Sequence, residues 1–333
     1  MPEQDGADAM TGRDRRDRER PDAQEPVVPR ARFESYYGRP VIKEPVWRSP
    51  EAPGYLFFGG LAGASSLLGA FAQATGNREL ARASKAGAAA AIGLSVGALI
   101  VELGRPARFL NMLRVFKVSS PMSVGSWLLA SYLPVAAVAG ASAVTGRLPR
   151  IGAAASGLAA ALGGGVATYT AALLADTAVP VWHEGHREMP YLFAGSAATA
   201  AGGLGMLATS PAASRQAMRF AVLGAATELT AKNMLLQRLG EVAEPYQRGR
   251  AGRLMETGEV LTAAGLAGAV LSGRSRRATA LAGLALLGSS ALTRFGIFFA
   301  GRTSARDPVY TVGPQRQRLA EAQRAEAFSP MDA

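Results

Sequence analysis

Residues 53–74 read PGYLFFGGLAGASSLLGAFAQA, a stretch of 22 residues without a charged side chain. About 20 mainly apolar residues are what an α-helix needs to cross the hydrocarbon core of a bilayer. Further apolar runs rich in Ala, Leu, Gly and Val recur as far as residue 300, and short basic loops separate them. This pattern predicts an integral membrane protein of the all-α class and argues against two soluble domains.

The apolar runs predict about eight transmembrane helices. Compared with a window of about 19 residues, the spans fall near residues 53–74, 86–102, 121–145, 151–175, 190–209, 215–237, 257–273 and 277–300. The sixth span is the weakest because it contains Arg219, Glu228 and Lys232. It is credible only if its polar face points into the bundle, and a seven-span protein is the alternative.

A short internal repeat indicates that the bundle has two halves. PGYLFFG at residues 53–59 resembles PYLFAG at residues 190–195, and each opens a span rich in small residues. Four spans separate the two motifs, and an even number preserves their orientation. We therefore expect two four-helix modules in parallel orientation, as in proteins built from internal repeats.

The two ends of the chain differ from its centre in composition. Residues 1–50 are dense in Arg, Asp, Glu and Pro, which predicts a largely disordered polar tail. Residues 51–302 form the predicted bundle, and residues 303–333 form a second polar tail. Lys and Arg are more frequent in the loops that share a side with the tails, which predicts that both termini are cytoplasmic.

Composition excludes several classes of function. The formal net charge of +11 lies in loops between apolar runs, so we expect contact with a membrane and not with nucleic acid. Without cysteine the chain cannot hold a cysteine-ligated iron–sulfur cluster. Its only histidines, His183 and His186, lie in a loop, so neither a haem nor a metal site is expected. They are interfacial residues or part of a proton relay.

The end of the fourth span carries polar residues that could form a site. Tyr169 and Asp176 are seven residues apart, which places both on one face of a helix, and Trp182 and His183 follow. A phenol and a carboxyl group at this depth could bind a quinone and exchange protons with it. The alternative is that Asp176 only caps the helix and Tyr169 belongs to the core.

The second span closes with ELGRPARF at residues 102–109. Gly104 and Pro106 end the helix, which places Arg105 at the membrane surface. From the residues alone, Arg105 extends its charge to lipid phosphate.

The chain resembles the NrfD/PsrC-type membrane subunits of polysulfide, nitrite and related molybdopterin oxidoreductases. The resemblance covers about residues 50–300. It rests on GYLFFGG at residues 54–60, LGRPARFLNML at 103–113, SPMSVGSW at 120–127 and YTAALL at 169–174.

The resemblance implies a haem-free, eight-helix subunit in the cell membrane. Such a subunit passes electrons between membrane quinone, either menaquinone or ubiquinone, and an iron–sulfur partner that works beside a molybdopterin catalytic subunit. The partner enzyme could be a polysulfide or nitrite reductase or resemble a formate dehydrogenase. The chain itself is then a non-catalytic or quinone-reactive subunit.

Candidate residues follow from the motifs and the resemblance together. The quinone-binding candidates are Tyr169, Asp176, His183, Trp182, Arg105 and Tyr55. The proton-relay candidates are Glu102, Glu228 and Lys232. The partner-docking candidates are Arg108, Arg114, Lys117 and Trp47. Two positions depart from the family pattern: Glu102 stands where Asp is expected, and no histidine begins the first span, so Glu51 or Tyr55 would take that role.

Two other functions stay open. A secondary transporter could use Glu228 and Lys232 as a coupling site, since they lie four residues apart on one helical face. A purely structural anchor is the second alternative.

Overall fold

The computed structural model describes residues 41–105, 107–272 and 275–328. Of the polar tail expected at residues 1–50, residues 1–40 lie outside the described residues. In the described part, the regular structure is helical throughout. The predicted all-α class is therefore confirmed.

Twelve α-helices follow one another along the described part of the chain. They are α1 (Glu51–Ala74), α2 (Arg78–Leu103), α3 (Ala107–Met112), α4 (Pro121–Thr145), α5 (Pro149–Ala175), α6 (Pro180–Glu184), α7 (Met189–Ala208), α8 (Arg215–Leu239), α9 (Glu244–Gln247), α10 (Gly249–Leu271), α11 (Arg276–Arg306) and α12 (Val309–Phe328). The short helices α3, α6 and α9 lie in connections, and α12 follows the bundle.

Eight of these helices, α1, α2, α4, α5, α7, α8, α10 and α11, correspond to the eight predicted spans. Within the described residues, seven of them are long and apolar enough to cross a membrane, and α8 is not among those seven. Helix α8 is the predicted sixth span, whose charged residues made it the weakest. The chain is thus a multi-pass membrane protein in which α8 is the most polar helix of the bundle.

Several helix boundaries differ from the predicted ones, and among them α10 begins at Gly249 and α11 ends at Arg306, beyond the spans predicted near residues 257–273 and 277–300. Helix α2 begins at Arg78, eight residues before the predicted span, and Asn77 caps it by accepting a hydrogen bond from the backbone N–H of Leu80 at 3.2 Å. Its first turns carry charged residues, so hydropathy misses them while capping determines the true start. Helix α12 occupies most of the predicted polar tail at residues 303–333, since a polar sequence can still form a helix.

The long helices pack in two groups. Helices α1, α2, α4 and α5 contact one another, α7 packs on α8 and α11, and α10 packs on α11. Helices α1 and α5 approach closely where Gly63 faces Gly163, because a Cβ atom at Gly63 would lie 2.3 Å from the Gly163 carbonyl oxygen. Small residues permit such close contact between membrane helices, and this contact fixes the position of α5 beside α1.

The helix directions bring four chain segments to one end of the first group. Helices α1 and α4 begin there, whereas α2 and α5 end there. The segment at residues 41–50, which precedes α1, lies at the same end and is named the roof segment. This end of the bundle carries most of the residues that the sequence motifs single out.

Candidate functional site

A cavity of about 450 Å³ lies between α1, α2, α4 and α5 at this end of the bundle. Its walls are mainly apolar, with Leu56, Leu99, Met122, Leu129 and Leu173 among the lining residues. The polar lining residues are Arg48, Tyr55, Glu102, Arg108, Ser126 and Tyr169. An apolar cavity with a few polar groups is the usual form of a site for a small organic molecule.

Tyr55 and Tyr169 meet inside this cavity. Their hydroxyl groups are hydrogen-bonded to each other, and their rings pack edge to face with centroids 6.5 Å apart. One hydroxyl donates its proton within the pair, which leaves the proton of the other available to a bound molecule. The ring of Tyr169 has room only because residue 125 is glycine, since a Cβ atom there would lie 2.4 Å from Tyr169 Cε2.

Glu102 lies at the end of α2 with one carboxylate oxygen fixed and the other free. Oε1 accepts a hydrogen bond from the backbone N–H of Arg48 at 2.9 Å. Oε2 is buried and has no hydrogen-bond partner among the described residues. An unsatisfied buried oxygen is costly, so Glu102 is suited to bind a hydrogen-bond donor or a proton in the cavity.

The roof segment covers the cavity and is held in place from the second group of helices. Trp47 lines the cavity and stacks on Trp182, with ring centroids 5.7 Å apart. Trp182 is fully buried, and its indole N–H donates to the Ile297 carbonyl oxygen at 2.9 Å. The predicted quinone candidate Trp182 is therefore outside the cavity lining and supports Trp47 from behind.

An ion-pair cluster also holds the roof segment. The carboxylate of Glu44 binds both Arg306 and Arg302 at the end of α11. The hydrogen bond from Arg306 lowers the pKa of Glu44 most; the hydrogen bond from Arg302 lowers it further, and partial burial opposes both. These ion pairs connect the roof segment to α11, the last helix of the second group.

A second cavity of about 420 Å³ lies between the end of α5, the following connection and α12. Asp176, His183 and Tyr310 are among its lining residues, whereas Tyr169 is not. Helix α5 ends at Ala175, so Asp176 is its capping residue. The polar face expected to run from Tyr169 through Asp176 to His183 is thus divided between two cavities.

The basic docking candidates lie on the connection between α2 and α4. All four arginine and lysine candidates are exposed, namely Arg105, Arg108, Arg114 and Lys117. Arg108 also lines the cavity and donates a hydrogen bond to the Leu103 carbonyl oxygen at 2.9 Å. Exposed apolar side chains accompany them, and these are Leu110, Val115, Phe116 and Val118. The connection is both basic and apolar, a composition typical of an interaction surface.

Glu228 and Lys232 lie in the second group of helices, far along the chain from the cavity lining. Lys232 forms an ion pair with Glu259 of α10. Buried Glu228 accepts a hydrogen bond from Thr293 at 2.8 Å, and Arg294 of α11 is fully buried. Sequence reasoning missed Glu259 and Arg294, although Arg294 interrupts the apolar part of the last span and was a usable signal.

Metal-binding clusters were not expected. Within the described residues, no group of three His, Asp or Glu side chains is placed to hold a metal ion. His183 and His186 instead hydrogen-bond through Nδ1 to backbone carbonyl oxygens, those of Ala175 at 3.1 Å and His183 at 3.0 Å.

A family model described as "Polysulphide reductase, NrfD" matches residues 41–242. The matched region begins in the roof segment and includes every residue that lines the larger cavity. No curated protein matches the chain.

Proposed function

The chain belongs to the NrfD (polysulphide reductase) family, and from that premise we propose that it is the quinone-binding membrane subunit of an oxidoreductase complex. It is a multi-pass membrane protein of a family whose members are membrane subunits of such complexes. The proposed role is to pass electrons between membrane quinone, menaquinone or ubiquinone, and an iron–sulfur subunit beside a molybdopterin catalytic subunit.

The observation that carries this proposal is the cavity at the Tyr55–Tyr169 pair. Its volume of about 450 Å³ falls within the range of roughly 300–1,000 Å³ that is usual for sites of small organic molecules. Its apolar walls suit a quinone ring and the first part of an isoprenoid tail. The available tyrosine proton and the free oxygen of Glu102 supply the polar groups that a ring carbonyl and its proton require.

Each residue of the cavity has a separate part in the proposed chemistry. When bound, a quinone supplies a ring that accepts two electrons and two protons. The tyrosine pair donates a hydrogen bond and so orients the ring, and Glu102 holds or releases a proton at Oε2. Trp47 and Val46 of the roof segment limit the access of water at the end of the bundle that this segment covers.

The proposed partner surface is the connection between α2 and α4. An iron–sulfur subunit must approach the cavity closely for electron transfer, and this connection lies at the cavity mouth. Its exposed basic residues Arg105, Arg114 and Lys117 would attract an acidic partner surface. Placement in the cytoplasmic membrane with both termini in the cytoplasm, and the absence of haem and iron–sulfur clusters from this chain, are parts of the same proposal.

Quinone binding can be tested directly because Trp47 lines the cavity. We expect menadione, a tail-free naphthoquinone, to quench the tryptophan fluorescence of the purified full-length protein in a saturable manner. Tyr169→Phe should weaken binding at least threefold, whereas Tyr191→Phe, at an exposed tyrosine of α7, should not change it. Quenching that never saturates and is equal in all variants would support a purely structural anchor instead.

A further inference from the structure

The second group of helices buries ionisable residues that the quinone proposal does not use. Glu228 of α8 is 6% exposed and Arg294 of α11 is fully buried. Ionisable groups inside a membrane bundle are costly and usually serve a function. The two residues therefore indicate a second role for the chain, separate from quinone binding.

The contacts of the two residues leave polar atoms unsatisfied. Oε1 of Glu228 accepts a hydrogen bond from the Thr293 hydroxyl at 2.8 Å. Arg294 donates from Nη2 to the Phe193 carbonyl oxygen at 2.7 Å and lies 3.7 Å above the Phe193 ring. Oε2 of Glu228 and both Nε and Nη1 of Arg294 are buried without partners among the described residues. Such atoms commonly bind an internal water molecule.

A small cavity adjoins the carboxylate. Its volume is about 10 Å³, and its lining residues include Glu228, Lys232, Glu259, Thr262 and Thr293. Roughly 10–15 Å³ of such volume holds one water molecule, provided that two or more polar groups can bind it. Carboxylate and hydroxyl oxygens around this cavity meet that condition.

An ion pair lines the small cavity and reaches the outer surface of the bundle. Lys232 and Glu259 form an ion pair in which the Glu259 side chain is 43% exposed and the Lys232 side chain 13%. Helix α8 packs chiefly on α7, and helix α10 packs chiefly on α11, while α8 and α10 pack only slightly on each other. The ion pair and Glu228 line the same small cavity.

We propose that Glu228 is a proton-exchange site of the second group of helices. An O–H bond forms at Oε2 of Glu228 while the bond between the same proton and the cavity water breaks, and no electron is transferred. The hydroxide left behind takes a proton from the Lys232 ammonium group, and Lys232 regains a proton through Glu259, whose side chain is 43% exposed. Release of the proton follows the same route in reverse.

The size of the cavity explains why the ligand is a proton and not a metal cation. The charged groups that face Glu228 are Lys232 on its own helix, Arg294 from α11 and Glu259 from α10. Helix α7 contributes the hydroxyl of Ser196. A cavity of about 10 Å³ has no room for the six or so oxygen ligands of a hard cation, whereas a proton needs only one carboxylate oxygen.

Infrared difference spectroscopy can test this site in the purified full-length protein, placed in lipid nanodiscs without quinone or partners. After a pH jump we expect the carbonyl band of a protonated carboxylic acid to appear and to exchange with deuterium. Glu228→Gln should abolish the band, whereas Glu256→Gln, at an exposed glutamate of α10, should leave it unchanged. The double variant Lys232→Met and Glu259→Gln should slow deuterium exchange at least tenfold.

A variant that keeps the carboxyl group covers the case in which Glu228→Gln fails to fold. Thr293→Val removes the hydroxyl that hydrogen-bonds to Glu228, so it should shift the frequency of the band without removing it. The proposal is overturned if the band remains in Glu228→Gln or if its frequency is unchanged in Thr293→Val. It is also overturned if the band does not change with pH while the protein is folded, or if its intensity depends on the sodium concentration. Because quinone is absent, these outcomes are independent of the quinone-binding proposal.

Discussion

Tyr55 of α1 and Tyr169 of α5 are 114 positions apart in the chain, yet their hydroxyl groups share a hydrogen bond inside the larger cavity. Each tyrosine fixes the orientation of the other. The pair therefore presents a hydroxyl proton in a defined direction toward any molecule that binds beside it.

Removing either hydroxyl should impair quinone chemistry. We expect Tyr55→Phe and Tyr169→Phe each to lower quinone-linked turnover of the complex at least tenfold, or about 1.4 kcal/mol of transition-state stabilisation. The double variant should be little worse than either single one, because the two residues act as a unit. Turnover with a soluble dye measures the partner alone and should persist. Undiminished quinone turnover in both single variants would remove the pair from the site.

Displacing the Tyr169 ring should have a similar effect without changing any functional group. In Gly125→Ala the added methyl group would lie 2.4 Å from the ring, so the ring must move. We expect the KM for quinone to rise at least fivefold in steady-state assays of the complex. Gly164→Ala on α5, where a Cβ atom meets nothing within 4 Å, is the matched control. Equal KM values for the two variants would contradict this role for Gly125.

Asp176 provides a test of the division between the two cavities. Asp176 lines the outer cavity and not the one with Tyr169. We therefore expect Asp176→Asn to reduce quinone turnover by no more than about threefold, whereas the loss predicted for Tyr169→Phe is at least tenfold, or about 1.4 kcal/mol. Both variants are compared in the same membranes, with the amount of assembled complex measured in parallel. A loss as large as that of Tyr169→Phe would place Asp176 on the proton route.

The stability of the ion pairs between the roof segment and α11 should depend on pH. The folded-state pKa of Glu44 is lowered, mainly by its hydrogen bond from Arg306. The resulting stabilisation is therefore present above the unfolded-state pKa and is lost as pH falls through the folded-state pKa. Near-ultraviolet circular dichroism of the Trp47–Trp182 stack should weaken over that acidic range, with Trp47→Phe as the reference.

Glu44→Gln should already weaken this signal at neutral pH. Glu241→Gln, at an exposed glutamate, is the control and should behave as the unmodified protein does. A Glu44→Gln protein that is indistinguishable from the control at every pH would show that the ion pairs do not hold the roof segment.

Charge reversal should locate the partner surface. We expect Arg114→Glu combined with Lys117→Glu to release the iron–sulfur partner at moderate salt, because both side chains are exposed on the connection between α2 and α4 and attraction at such a surface is electrostatic. Arg147→Glu combined with Arg150→Glu makes the same charge change at the opposite end of the bundle and should leave the complex intact. Co-purification measures both, and an intact complex in the first variant would exclude this surface.

Hydropathy predicted the helices well because a bilayer imposes a local requirement. Each span must be apolar over its own length and must satisfy its own backbone hydrogen bonds, and both properties are visible in consecutive residues. The predicted spans near 121–145 and 190–209 agree with α4 and α7 to within a residue. Where charged turns extend a helix beyond the hydrocarbon, as in α2, the predicted span was shorter than the helix.

The motifs also identified several lining residues, although their roles were assigned differently. Tyr55 and Tyr169 were predicted as quinone-binding residues, Glu102 as a proton relay, and Arg108 and Trp47 as docking residues. All five line the larger cavity. Motif residues gather there because helix direction alternates, so the starts and ends of successive spans meet at one membrane surface.

The sequence by itself determined the membrane class, the approximate number of spans and the family, since these depend on composition and on short motifs. Only the tertiary structure decided which polar residues meet. It joined Tyr55 to Tyr169, separated Tyr169 from Asp176, paired Lys232 with Glu259, and buried Arg294 near Glu228. Contacts between helices depend on how small residues such as Gly63 and Gly163 let two backbones approach, and periodicity along one helix carries no information about its neighbours.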